Sequence, residues 1–153
     1  MIIENKLKEL GIELQSASTP LANYVPFVQV GDLIFISGQG LVKDGKATSK
    51  GKVGRDLDKI DAYNAAREIG IVLISLLKAA VSDLDKVERI VCLQGFVNST
   101  ADFTDHPFVI NGASDLFAEV FGDKGKHSRF AVGASSLPLD MSVEIGMIAQ
   151  VHS

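Results

Sequence analysis

Arg129 and Glu144 are the two residues whose types and spacing offer chemistry most directly. An arginine presents a rigid fork of N–H donors that matches a carboxylate with two parallel, charge-assisted hydrogen bonds. A glutamate can order and deprotonate a water, or relay a proton to a leaving group. Arg129 opens a short apolar run, Leu137-Pro138 turns the chain, and Glu144 stands on the polar side of the alternating segment that follows. A hairpin of this kind would bring the cation and the carboxylate together across two strands. Two readings follow from the spacing: a structural ion pair of the sort common at sheet edges, or an anion anchor with a proton carrier beside it.

Other chemistries lack their residues. The chain has no Gly-x4-Gly-Lys-Ser/Thr, Gly-x-Gly-x-x-Gly, Gly-x-Ser-x-Gly or His-x-x-x-His, so no cofactor and no metal are expected. His106, His127 and His152 fall near a helix start, in a loop and at the C-terminus, and read as separate surface groups. Cys92 stands alone in Ile90-Val91-Cys92-Leu93 and reads as a buried small hydrophobe in a reducing compartment. With 15 Lys+Arg against 19 Asp+Glu, the surface repels a phosphate backbone, which disfavours nucleic acid as a partner. Lys43, Lys46, Lys50, Lys52 and Arg55 cluster in one polar stretch, read as a solvated loop. No leader-like segment and no apolar run of membrane-spanning length occurs, so a cytoplasmic protein is expected.

The elements that must position Arg129 and Glu144 follow from periodicity. A length of 153 residues with 46% hydrophobic side chains suits a single domain over 1–153, with residues 1–23 an N-terminal extension packing on it. Glu4 to Leu10 gives a short helix stopped by Gly11, and Ser16 to Pro26 a connection. Phe27 to Ser37 reads as a hairpin around Gly31-Asp32, and Lys43 to Arg55 as an irregular surface loop. Apolar residues from Ala62 to Ala80 recur at three- and four-residue steps, predicting a helix of about six turns that starts at Asp56 or Leu57 with Asp56 as its cap. Val87 to Val97 reads as a strand. Asp105-His106-Pro107 opens a second helix that Gly122 ends, and Arg129–Ala134 and Met141–Val151 are strands. The order β-β-α-β-α-β-β implies an α+β domain: a mixed sheet with two helices on one face and its other face left to be covered. A mean hydropathy of +0.23 in so short a chain points to another subunit as the cover.

The spacing Arg129, Val132, Leu137, Pro138, Glu144 resembles the signature of the RidA/YjgF family, also known as endoribonuclease L-PSP. Tyr24, thirteen residues before Ser37-Gly38-Gln39, and Asn111 near the start of the second helix extend the resemblance over about Tyr24 to Val151. It implies a chorismate-mutase-like (YjgF-like) fold, assembly as a homotrimer, and an intersubunit pocket for a small carboxylate, a 2-imino or 2-keto acid. By the same resemblance the activity is that of a 2-iminobutyrate/2-iminopropanoate deaminase-like hydrolase, with Arg129 and Glu144 catalytic. Tyr24, Ser37, Gly38, Asn111 and the backbone of Ala131 would contact the substrate. A non-catalytic carboxylate-binding or regulatory protein, and an endoribonuclease, are the alternative activities within it. The chain departs from the family in about four extra residues before Asn111, in Ser114 where an aromatic is frequent, and in Ala131 where many members carry Cys.

Overall fold

The computed structural model describes residues 1–16 and 23–152. Residues 17–22, part of the expected connection and of the 1–23 extension, lie outside the described residues. The elements run α1 (Ile2–Glu9), β1 (Phe27–Val30), β2 (Leu33–Gln39), β3 (Val42–Lys43), β4 (Lys46–Ala47), α2 (Lys59–Val81), β5 (Val87–Asn98), α3 (His106–Phe121), β6 (Ser128–Ala134) and β7 (Val143–Val151). Five strands form one sheet in the order β1-β2-β7-β5-β6, with β5 and β6 parallel and every other pair antiparallel. The parallel pair is joined through α3, the crossover that two parallel strands require.

Both long helices cover the same face: α2 lies over β2 and β7, α3 over β5 and β6, and the two pack against each other. The alternation read from the sequence holds. Val143, Ile145, Met147, Ala149 and Val151 of β7 are all buried toward the helices, as are Ile34 and Ile36 of β2 and Leu93 and Val97 of β5. Helix contact is close at Gly112, where a β-carbon would collide with the Tyr63 carbonyl of α2.

Three sequence expectations are corrected. Helix α2 starts at Lys59, and its cap is Asp58, whose side chain accepts from Asp61 N at 2.8 Å. Asp56 instead accepts from Lys52 N and pairs with Arg55 within the preceding turn. Two oxygens of similar chemistry stand two residues apart, and the helical repeat alone does not choose between them. We expect Asp58→Ala to cost about 1 kcal/mol in urea unfolding, and Asp56→Ala to leave helix content unchanged by circular dichroism.

The stretch from Lys43 to Arg55 is not irregular throughout. β3 and β4 form a small hairpin whose turn places Asp44 and Gly45 at positive φ, and beyond it Gly51 and Val53 are buried. Cys92, expected in the core, lies half-buried on the face of the sheet opposite the helices, because β5 is bulged between Ile90 and Cys92 and the alternation shifts.

The far end of β5 carries a polar junction. Asn98 is fully buried, and its amide donates to Gly51 O and Asp140 Oδ1 while its carbonyl accepts from Lys52 Nζ at 2.9 Å. Lys52 also donates to Ser135 O. Backbone bonds join the same segments: Gly51 N to Asp140 O, Val53 N to Asn98 O, Asn98 N to Ser142 O and Ser142 N to Ser49 O. Leu139 and Asp140, in the turn after Leu137-Pro138, both sit at positive φ, a conformation that costs an L-residue energy and is held by this junction.

Candidate functional site

The residues singled out from the sequence fall into two groups on opposite faces of the sheet. Arg129 and Ala131 project from β6 toward the helices, in register with Leu93 and Gly95 of β5. Glu144 projects from β7 to the open face, in register with Phe96. Strand β5 lies between β6 and β7, so Arg129 and Glu144 are about 10 Å apart laterally as well as on opposite sides. The expected cross-hairpin pairing is therefore not formed. Leu137-Pro138 begins a connection that crosses the end of β5, so β6 and β7 are not hairpin neighbours; the odd positions of both face the helices, which leaves Glu144, at an even position, on the other side.

The first group gathers around the guanidinium. Arg129 Nη1 donates to Ser114 Oγ at 3.0 Å, and Nη2 makes a long contact of 3.4 Å with Pro107 O. Pro107, Asn111 and Ser114 recur at four- and three-residue steps, so one face of α3 meets the edge strand with all three. Among the described residues no carboxylate forms an ion pair with Arg129. Partial burial pulls its pKa down while Asp115, one residue past Ser114, pulls it up; an arginine remains a cation throughout.

His127, read from the sequence as a surface group, is half-buried in this cluster. Its Nε2 lies 2.8 Å from Ser114 Oγ, its Nδ1 2.6 Å from Gly125 O, and its ring stands edge-on to Phe117. Burial lowers its pKa, and the Arg129 charge lowers it further, against the Gly125 carbonyl, which raises it. Ser114 and His127 are the site residues that sequence reasoning missed. Thirteen residues and a 3-10 turn separate them, and no periodicity links positions on a helix to positions in the loop behind it. His106 is also tied down, its Nε2 3.1 Å from Ser99 Oγ.

The second group lies on the open face. The bulge between Ile36 and Gln39 leaves Gly38 with no register partner on β7. A β-carbon at Gly38 would strike the Glu144 carboxylate, so glycine there makes room for that side chain. Ser37 Oγ donates to Val25 O at 2.8 Å and so draws the Tyr24 segment to the end of β2. Tyr24 is 55% exposed, so it does not pack as a buried aromatic within its own chain. Glu144 is half-buried with no ion pair among the described residues, and burial raises its pKa.

The sign of that shift gives a test. A carboxyl whose folded pKa lies above its unfolded value carries no penalty at low pH and destabilises the fold once pH rises through the folded pKa. Glu144→Gln should therefore raise the melting temperature by about 2 °C at pH 7 and leave it unchanged near pH 4, read by scanning calorimetry.

The open face is apolar around this group. Val28, Val30 and Phe35 on one side and Phe130 and Val132 on the other are each exposed, and Phe96 meets Phe130 edge-on at 5.4 Å. Of the five positive charges in the Lys43 to Arg55 stretch, Lys52 is bound to Asn98 and Arg55 to Asp56, leaving Lys43, Lys46 and Lys50 exposed. No helix among the described residues is long and apolar enough to cross a membrane.

Comparison with known proteins agrees with the fold and the signature. The YjgF/chorismate mutase-like family, whose description also carries an endoribonuclease name, matches residues 4–151. Protein TCP17 of Trypanosoma cruzi is 39% identical over 148 residues, covering 96% of this chain and 92% of its own length. The crystal structure of Atu1372 from Agrobacterium tumefaciens shares 44% identity with a TM-score of 0.89, covering 99% of this chain and 94% of that one. TdcF of Escherichia coli, solved with bound serine, shares 25% identity with a TM-score of 0.62, covering 92% of this chain and 97% of that one. With its helices on one face of a mixed sheet and that match spanning nearly every residue, the chain belongs to the YjgF/chorismate mutase-like family.

Proposed function

We propose that this protein hydrolyses 2-imino acids, or their enamine tautomers, to 2-keto acids and ammonia in a pocket completed between subunits of a homotrimer. The observation that carries the reading is the state of Arg129: half-buried on an edge strand, its guanidinium held by neutral oxygens, with N–H donors left over for an incoming carboxylate. Asn111 and the backbone at Ala131 flank that anchor. Tyr24, Ser37, Gly38 and Glu144 form the complementary half on the open face, too far away to serve the same carboxylate within one chain. A second copy that lays its apolar sheet face against the β6 edge of the first joins the two halves and covers Phe130 and Val132.

The chemistry then needs few groups. The carboxylate of the substrate rests on Arg129, which fixes C2 in place. Water adds to C2 of the protonated imine as Glu144 takes a proton from it, giving a carbinolamine. Glu144 returns a proton to the nitrogen, the C–N bond breaks to release ammonia, and the hydroxyl proton passes to Glu144 and from it to the departing ammonia as the carbonyl forms. Burial pushes the Glu144 carboxyl above the usual carboxylate range, which makes it a stronger proton acceptor in the first step and leaves it able to return that proton in the second.

The test is a coupled assay in which a dehydratase generates 2-iminobutyrate. The protein is expected to speed release of 2-ketobutyrate, and no acceleration by the intact oligomer overturns the reading. The serine held by TdcF favours a second reading, a carboxylate-binding protein with little turnover. Calorimetry with 2-ketobutyrate separates the two, since binding without rate acceleration is the mark of the second.

A further inference from the structure

The hydrogen-bond directions around Ser114 are fixed by elimination. A guanidinium only donates, so Arg129 Nη1 spends its proton on Ser114 Oγ. A carbonyl only accepts, so His127 Nδ1 carries the hydrogen that meets Gly125 O. In a neutral imidazole Nε2 is then bare, and the one hydroxyl hydrogen of Ser114 points to it. The chain Arg129 to Ser114 to His127 to Gly125 therefore runs one way, every donor matched to one acceptor. A proton on His127 would break that order. Nε2 would become a donor, the Ser114 oxygen would face two cationic donors at once, and its own hydrogen would have to turn away.

We propose that Ser114 and His127 are positioning residues for the Arg129 anion site, and that an anion arriving at Arg129 is coupled to proton uptake by His127. The proposal rests on the reading of Arg129 as a carboxylate anchor and deepens it by adding a regulator of the same site. Ligand-free, the neutral imidazole keeps the Ser114 hydroxyl oriented as an acceptor, and Ser114 holds the guanidinium in one rotamer. A bound carboxylate neutralises the guanidinium and withdraws the charge that opposes an imidazolium. Linkage is reciprocal, so protonating His127 tightens the anion by the same factor, about fivefold for a coupling of the usual size.

The charged groups around the ring are few. Arg129 approaches from β6, and Asp115 follows Ser114 on α3 but bonds to Tyr63. On the turn before the ring, Asp123 and Lys126 pair with each other at 3.1 Å, and Lys124 reaches Val87 O. Gly125 and Phe117 present a carbonyl and a ring edge. Arg129 is thus the charge whose state His127 senses most directly, in line with the downward push on its pKa.

Imidazole NMR of the full chain tests this, the three histidine signals being assigned with His127→Gln. In the ligand-free wild type, His127 should appear as the Nδ1–H tautomer and titrate below the usual histidine range. Arg129→Gln and Ser114→Ala should each move its midpoint upward, while Ser114→Thr, which keeps the hydroxyl, should restore it. Saturating 2-ketobutyrate should also move the wild-type midpoint upward. An Nε2–H tautomer, or a midpoint indifferent to both Arg129→Gln and Ser114→Ala, overturns the coupling. A 2-ketobutyrate that binds and leaves the His127 midpoint in place overturns it too. If 2-ketobutyrate does not bind at all, the carboxylate reading of Arg129 fails on its own, and the ligand-free titration still decides whether His127 responds to the guanidinium.

Discussion

Arg129→Ala is expected to abolish acceleration of 2-iminobutyrate hydrolysis, with kcat/KM falling by about 100- to 10,000-fold. Two charge-assisted hydrogen bonds to a carboxylate at about 1.5–3 kcal/mol each set that scale. Arg129→Lys keeps the charge but loses the planar fork, and should recover activity only in part, with KM raised about tenfold over wild type. Stability should barely move in either variant, because the side chain lies on an edge strand and makes one good hydrogen bond within its own chain. Steady-state kinetics with parallel thermal melts check both statements. A fully active Arg129→Ala protein would sink the anchor. A protein that loses activity only because it unfolds would show it in the melt.

The second large effect concerns the open face. Val132→Glu should convert the oligomer to monomer in sedimentation velocity and abolish turnover, while the far-ultraviolet circular dichroism stays that of the folded chain. Val132 is 41% exposed beside Phe96 and Phe130, so a carboxylate there costs the isolated subunit little. Buried against a second copy without a partner, the same charge costs several kcal/mol, enough to raise the dissociation constant about 1000-fold or more. If the native protein sediments as a monomer, or if Val132→Glu leaves its activity intact, the intersubunit pocket is wrong while the fold stands.

Much of this was legible in the sequence because the sheet alternation is strong where one face is packed. From Val143 to Val151 the odd positions are buried, and the two long helices announce themselves by apolar stripes and by Gly122 at the end of the second. Pairing was harder to see. Consecutive strands usually neighbour each other, as β5 and β6 do, but β7 leaves β6 at the sheet edge and inserts between β5 and β2. That one topological choice separates Arg129 from Glu144, and no local pattern in Arg129 to Glu144 encodes it. The Asp56 and Asp58 confusion has a different origin, since both side chains make local backbone bonds and only the tertiary packing of the Lys52 turn decides which one meets a helix. The link between Ser114 and His127 was invisible for a third reason. The sequence shows Ser114 only as a departure from the family and His127 only as a lone histidine, and their joint role comes from contact across the α3–β6 connection.

The junction built on Asn98 has a kinetic consequence. It ties together stretches of chain around positions 51, 98 and 140 that are far apart in sequence, through one wholly enclosed amide and a ring of main-chain bonds. Such a knot opens all at once or not at all, because releasing any one strand of it strands polar groups on the others. In deuterated solvent the amide hydrogens of Gly51, Val53, Asn98 and Ser142 should exchange at a common slow rate with a shared free energy of opening. Asn98→Ala should accelerate all four together while leaving the amides of the α2 interior at their original pace.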